Sequence, residues 1–371
     1  MTTVSCFDDW VDLFGAWKKD IGLDSSVTRE YEFETKLDNL RSPEIEFGDY
    51  AGRNRWERVL DIPDQRIRDA LEHLIVYQGD TEFASVEQQR DLISSAPNDY
   101  ELYSLVRVMR EEMRHGWQMS YLLVTHFGHS GRIEAQKLLE RRAFQNTRLL
   151  GSFNEKVQNW LDFFVYTEFI DRDGKFQLQM LMGSSFAPLA RSMGPMLKEE
   201  SFHLGTGHNG LRRILEAGKI PVSIIQKYFY KWIPTAYDLF GVDTSSSAHW
   251  AYVWGLKGRF DEATNKGPAD KEHLNEAARN LYIQEIEGLV DTLNQLIPEE
   301  QTKLQISSLK FRRKIGDLAD QKFSVEGNPM AAAEYESYLQ DVLPGPEDQK
   351  ILDAILGSGD WIAPKGPESV Q

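Results

Sequence analysis

Two hexapeptides constrain this chain more than any other feature: Arg110-Glu111-Glu112-Met113-Arg114-His115 and Lys198-Glu199-Glu200-Ser201-Phe202-His203. Each contains Glu-x-x-His. On a helix, residues three apart lie one above the other, so a carboxylate and an imidazole can reach one metal ion. A single copy carries little weight in 371 residues with eight histidines. Two copies, each preceded by a suitably placed acid on another helix, form the pattern of a di-metal carboxylate site inside a four-helix bundle.

The rest of the chain supplies the helices that this pattern needs. Asp64 suits the N-cap of a long helix running to about Ser94, and Asn98 or Asp99 caps a second that ends near Phe127. Gly128-His129-Ser130-Gly131 breaks the run. A shorter helix at about 133–142 then makes a crossover. A third long helix starts near Glu155, and a fourth starts at Ser185 or Pro188 and reaches about Ala217. Further helices are expected at about 222–239 and 275–296, with shorter ones near 308–318 and 330–342. No convincing strand pattern occurs. The expected fold is all-α: residues 1–63 form a covering arm, 64–217 the bundle, 218–342 a helical extension and 343–371 a Pro- and Gly-rich surface tail.

Winding the long helices at about 100° per residue sorts the acids by face. Glu112 lies in the stripe of Leu105, Val108, Met109, Met119 and Leu123, with His115 at its edge. Glu200 lies among Leu189, Met193, Met196 and Leu204, with His203 bordering them. Glu111 and Glu199 fall outside these stripes. On the first helix Glu82 joins Ile67, Leu71, Ile75 and Val86; on the third, Asp171 and Glu168 both fit, and periodicity does not choose between them. Glu82 precedes Glu112 by 30 residues and Asp171 precedes Glu200 by 29, with a turn midway in each case, so antiparallel pairing brings them to one level. Buried carboxylates are costly unless compensated. Four of them against two divalent cations are electrically neutral, and mixed oxygen and nitrogen donors suit iron or manganese better than zinc.

Composition narrows the chemistry. A formal charge of −16 argues against nucleic acid or an anionic membrane as partner. Cys6 is the only cysteine, which excludes an internal disulfide and an iron–sulfur cluster ligated by this chain. No Gly-x-Gly-x-x-Gly follows a strand, so electrons from NAD(P)H would have to come through a separate reductase. Met1 to Asp20 has no apolar core of a leader, no apolar run approaches membrane length, and the expected location is the cytoplasm. Arg107, Arg110 and Arg114 read as a solvated or ion-paired helix face rather than a phosphate site. His73, His126, His129, His249 and His273 are given no role, and His208, off the face of His203, reads as structural. Gln78, one turn before Glu82, is a candidate either for supporting a ligand or for lining a substrate pocket, and Phe186 for lining the pocket.

Several passages carry a more specific likeness: Ile62-Pro63-Asp64, Gln78-Gly79-Asp80-Thr81-Glu82-Phe83-Ala84-Ser85, Gly151-Ser152-Phe153-Asn154-Glu155-Lys156, Asp171-Arg172-Asp173-Gly174-Lys175-Phe176, and Pro188-Leu189-Ala190-Arg191 through Glu200 and His203. Over roughly residues 55–260, as far as Lys257-Gly258-Arg259, the chain resembles the aryl-CoA epoxidases, a ferritin-like di-iron family. The likeness is nearer to the oxygenase components that act on benzoyl-CoA and more distant to the catalytic subunits that act on phenylacetyl-CoA. The resemblance implies that Glu82, Glu112, His115, Asp171, Glu200 and His203 bind two iron ions. It selects Asp171 over Glu168, and it makes Glu112 and Glu200 the bridging, catalytic carboxylates. It further implies O2 as cosubstrate, an aromatic acyl-CoA substrate, an arene epoxide product, and a homodimer as one assembly such a chain adopts. The alternatives are a di-iron hydroxylase or N-oxygenase of another aryl substrate, a ferroxidase, and a metal-free scaffold.

Overall fold

The computed structural model describes residues 4–265 and 267–366, and the end of the expected tail, 367–371, lies outside them. The described residues are all-α, with isolated β-bridges and no strand. None of their helices is long and apolar enough to cross a membrane. The helices are α1 (Phe7–Asp20), α2 (Gln65–Gln89), α3 (Asp99–His126), α4 (Gly128–Glu140), α5 (Trp160–Leu181), α6 (Ala187–Ala217), α7 (Val222–Leu239), α8 (Ser246–Val253), α9 (Leu274–Asn294), α10 (Ala332–Val342) and α11 (Pro346–Leu356).

Local chemistry sets the boundaries. Asp64 caps α2 by accepting from the Arg66 amide, and Asn98 caps α3 by accepting from the Glu101 amide. The third long helix begins later than expected, at Trp160 rather than near Glu155. There the Asp162 amide donates to the Asn159 side chain at 2.9 Å, while the Asp162 carboxylate accepts from the Gln158 amide at 2.8 Å. The crossover helix begins earlier than expected, at Gly128. Gly128 takes a positive φ of 62°, so the chain turns in one residue and α4 resumes at once. No α-helix forms at 308–318, where Arg312 is left-handed (φ 51°) and Gly316 follows at φ 69°. The tail is not irregular throughout: Pro346 at the first turn and the Asp348 carboxylate, accepting from the Gly345 amide at 2.8 Å, start α11.

Contacts divide the described chain into two compact units, the first from Met1–Val157, Lys175–Glu200 and Ser245–Leu274, the second from Gln158–Gly174, Ser201–Thr244 and Asn275–Gln371. In the first, α2 and α3 pack antiparallel at two glycines. A Cβ at Gly116 would lie 2.6 Å from the Phe83 ring, and one at Gly79 would lie 3.1 Å from Met119 Cβ. On their flank α1 brings Trp10, Phe14 and Trp17 into an aromatic cluster with Phe83 and Trp117. A buried ionic knot ties the crossover to α2. Arg148 donates to Asp80 (3.1 Å) and Glu87 (2.7 Å), and Glu87 also accepts from the Trp17 indole (3.1 Å) and the Ala143 amide (2.6 Å).

In the second unit the N-terminal part of α5 packs antiparallel to the C-terminal part of α6. A Cβ at Gly207 would stand 2.6 Å from the Glu168 amide nitrogen, and one at Gly210 would enter the Phe164 ring. Trp232 of α7 stacks edge-on against Tyr166, and Tyr282 of α9 donates to the Phe169 carbonyl at 2.9 Å.

Candidate metal centre

The close α2–α3 approach sets the register of the first ligands. Phe83 lies opposite Gly116, so Glu82 comes level with His115, and His115 Nδ1 stands 3.3 Å from a Glu82 oxygen. Glu82, Glu112 and His115 each place a ligand atom within 4.8 Å of the others, and all three are buried. A second such group joins Glu112 to Glu200 and His203, one turn apart on α6. His115 Nδ1 is also 3.7 Å from a Glu200 oxygen. Glu112 therefore belongs to both groups.

The α5–α6 contact bears on what periodicity leaves open. Gly207 lies opposite Thr167 and Glu168, and Gly210 opposite Phe164. Continuing that antiparallel register by one turn brings Asp171 level with His203. Asp171 is 7 % exposed on α5. The Glu168 carboxylate has other partners: it accepts from Arg172 Nη2 at 3.2 Å and lies 3.2 Å from His208 Nδ1. His208 is thus engaged in that pair, and Asp171 stands outside the two groups that share Glu112.

The environment of His115 brings in a residue that helical periodicity places elsewhere. Glu199 does not point away: its Oε2 lies 2.9 Å from His115 Nε2. The Arg114 guanidinium, fully buried, clasps the same carboxylate with Nε at 2.7 Å from Oε2 and 3.0 Å from Oε1. With Nε2 facing Glu199, Nδ1 is the atom that can meet a metal, the outer-sphere arrangement that fixes an imidazole ligand. Burial works to raise the Glu199 carboxyl, but the His115 hydrogen bond and the Arg114 charge outweigh it and hold it at about 2. Burial likewise opposes charge on Glu82 and His115. Their mutual attraction prevails, keeping Glu82 below the usual carboxylate range and raising His115. The legible signal was the acid beside each ligand Glu and the Arg beside His115. A single helix's stripe does not report what the neighbouring helix presents.

Gln78 Nε2 donates to Glu82 Oε1 at 2.5 Å, so it supports that carboxylate directly. Phe186 lies elsewhere, edge-on to His126 and Phe127 at the start of α6, about 20 Å along the helix axis from Glu200. Arg107 fits the ion-paired reading, pairing with Glu111 at 2.9 Å, whereas Arg110 donates to the Val27 carbonyl. The donor set fits a pair of divalent cations. Its carboxylates are hard oxygen ligands, its imidazoles are held in place, and the carboxylate charge needs cations at this depth.

Helices carrying buried carboxylate–histidine clusters define the chain as an all-α protein with a candidate metal centre. Residues 58–316 match the model of the phenylacetic acid catabolic protein family, and the chain belongs to that family. Its bundle is accordingly ferritin-like. Among its relatives is the benzoyl-CoA oxygenase component B of Aromatoleum evansii, 36 % identical over 374 residues, covering 86 % of this chain and 78 % of that protein. Another is one of the subunits of the 1,2-phenylacetyl-CoA epoxidase of Escherichia coli (strain K12), 22 % identical over 265 residues, covering 71 % and 79 %. Both are named as oxygen-inserting enzymes, in agreement with the resemblance drawn from the motifs.

Proposed function

We propose that the chain is the oxygenase component of a multicomponent di-iron monooxygenase that inserts one oxygen atom from O2 into an aromatic acyl-CoA, giving an arene epoxide. The carrying observation is the pair of buried groups sharing Glu112: Glu82, Glu112 and His115, and Glu112, Glu200 and His203. In this reading Glu82, Glu112, His115, Asp171, Glu200 and His203 would hold two iron ions, with Glu112 and Glu200 the carboxylates that would serve both. Two irons held in this way supply reductive activation of O2. The relatives' names support the acyl-CoA class and the need for a further component.

This chain's residues hold the ligands still. Gln78 fixes the Glu82 carboxylate, and Arg114 with Glu199 fixes the His115 ring so that Nδ1 faces inward. Burial keeps water from the ligand layer. The reaction consumes O2, two electrons and two protons, and releases one oxygen atom as water. With Cys6 its only cysteine, the chain would draw those electrons from a separate NAD(P)H-dependent reductase.

The test is turnover of the iron-loaded protein with a reductase, NADPH and benzoyl-CoA under 18O2, read by mass spectrometry of the thioester. One 18O atom per product is expected. Oxidation of ferrous iron without oxygenated product would favour a ferroxidase and overturn the proposal.

A further inference from the structure

The segment Lys36–Asp38 of the N-terminal arm is pinned to helices α3 and α6 beside the candidate metal centre, and the cause lies in the sequence of α6. Pro195 sits inside that helix and has no amide hydrogen, so the carbonyl of Arg191, four residues back, has no helical donor. The Asp38 amide of the arm donates to that carbonyl at 2.9 Å. The preceding residue, Gly194, leaves the room: a Cβ there would stand 2.9 Å from an Asp38 carboxylate oxygen. Two residues earlier in the arm, the Lys36 amide donates to Gln118 Oε1 of α3 at 2.8 Å, and Gln118 Nε2 in turn donates to Ser192 Oγ of α6 at 3.0 Å. Lys36 is thereby held with its ammonium 3.1 Å from Glu199 Oε1.

Glu199 is the carboxylate that faces His115, and its two oxygens are divided. Oε2 serves His115 and Arg114, while Oε1 receives Lys36 together with Arg114 Nε. A carboxylate held on both oxygens has no freedom to rotate away from the imidazole. We propose that Lys36 is a positioning residue for His115: docked through the gap that Gly194 and Pro195 open in α6, it locks Glu199 from the solvent side, so that the N-terminal arm sets the orientation of a metal ligand it never touches. The proposal rests on His115 being a metal ligand, as the functional reading above has it.

The experiment measures Co(II) affinity of the full-length protein by chelator competition and the visible ligand-field spectrum of the loaded protein, with no turnover required. Four variants are compared with the wild type: Lys36→Met, Lys36→Arg, Pro195→Ala and Lys198→Met. Removing a direct partner of a metal-bound histidine weakens affinity about 10- to 100-fold, and Lys36 acts one bond further out. Lys36→Met is expected to weaken binding about five-fold and shift the spectrum, and Lys36→Arg to restore both. Pro195→Ala returns the amide donor to Arg191 and is expected to act like Lys36→Met, although it improves the helix. Lys198→Met removes an exposed ion pair to the same arm residue, Asp38 at 3.0 Å, and is expected to leave both readouts unchanged. Wild-type affinity in Lys36→Met overturns the proposal, as does Lys198→Met matching Lys36→Met, which would mean that arm coverage alone matters. A wild type that takes up no Co(II) removes the metal-centre reading itself, and the proposal with it.

Discussion

Glu199 and Glu200 are neighbours in sequence with different tasks, and the difference arises from what faces each. Glu200 projects with His203 toward Glu112, whereas Glu199 meets Arg114 and His115 of α3. Replacing Glu199 by Ala leaves Arg114 buried without its carboxylate and frees the His115 ring. Metal affinity is expected to fall about 10- to 100-fold, by competition with a chelator, with Glu111→Ala falling far less. Equal losses would mean that Glu199 has no special link to the metal. The candidate ligands Glu82, Glu112, His115, Glu200 and His203 were legible because a three-residue spacing and an apolar stripe are properties of one helix. Glu199 was not, because its partners lie on another. The choice of Asp171 over Glu168 came from resemblance alone; the structure adds that Arg172 and His208 engage Glu168.

At the level of elements, the caps and turns were readable where one residue type decides them, as at Asp64, Asn98 and Gly128. They were missed where a side chain reaches across, as when Asn159 and Asp162 delay the start of α5. The Asp64 cap carries a pH signature. The Arg66 side chain and amide depress its carboxyl to about 2 from its ordinary value of 3.8. A depressed acid stabilises the fold above its unfolded pKa and loses that contribution as pH falls through the folded value. The protection factor of the Arg66 amide, taken relative to its intrinsic exchange rate at each pH, is therefore expected to hold down to about pH 4 and to fall between about 4 and 2. In Asp64→Ala it should be low throughout, and a wild type already unprotected at pH 6 would count against the cap.

The knot around Arg148 belongs to the same scale. Arg148→Met leaves buried Glu87 with only neutral donors and buried Asp80 with the longer Arg141 pair at 3.5 Å, beside the turn of α2 that carries Glu82. Breaking a buried ion pair from one side costs about 3–5 kcal/mol, so a large drop in Tm is expected by calorimetry. A change under about 1 kcal/mol would show that water compensates the two acids.

For the whole molecule, the buried acids of the two ligand groups repel one another unless cations compensate them, and metal should stabilise the fold by mass action. At a free metal concentration a hundred times Kd the gain is about 2.7 kcal/mol, so stripping the protein with a chelator is expected to lower Tm by several degrees, reversibly on adding iron. Fold class was legible at this scale because the long helices carry apolar stripes, and α2 and α3 their own caps. The division into two compact units was not, since α5 and α6 each pass from one to the other without any break in their sequence pattern.

The most direct test of the central claim is iron per chain in wild type and in Glu112→Ala, measured by plasma emission spectrometry on protein whose helix content is verified by circular dichroism. Glu112 belongs to both ligand groups, so the account expects about two irons in the wild type and one or none in the variant at unchanged helicity. Two irons retained by Glu112→Ala would contradict it.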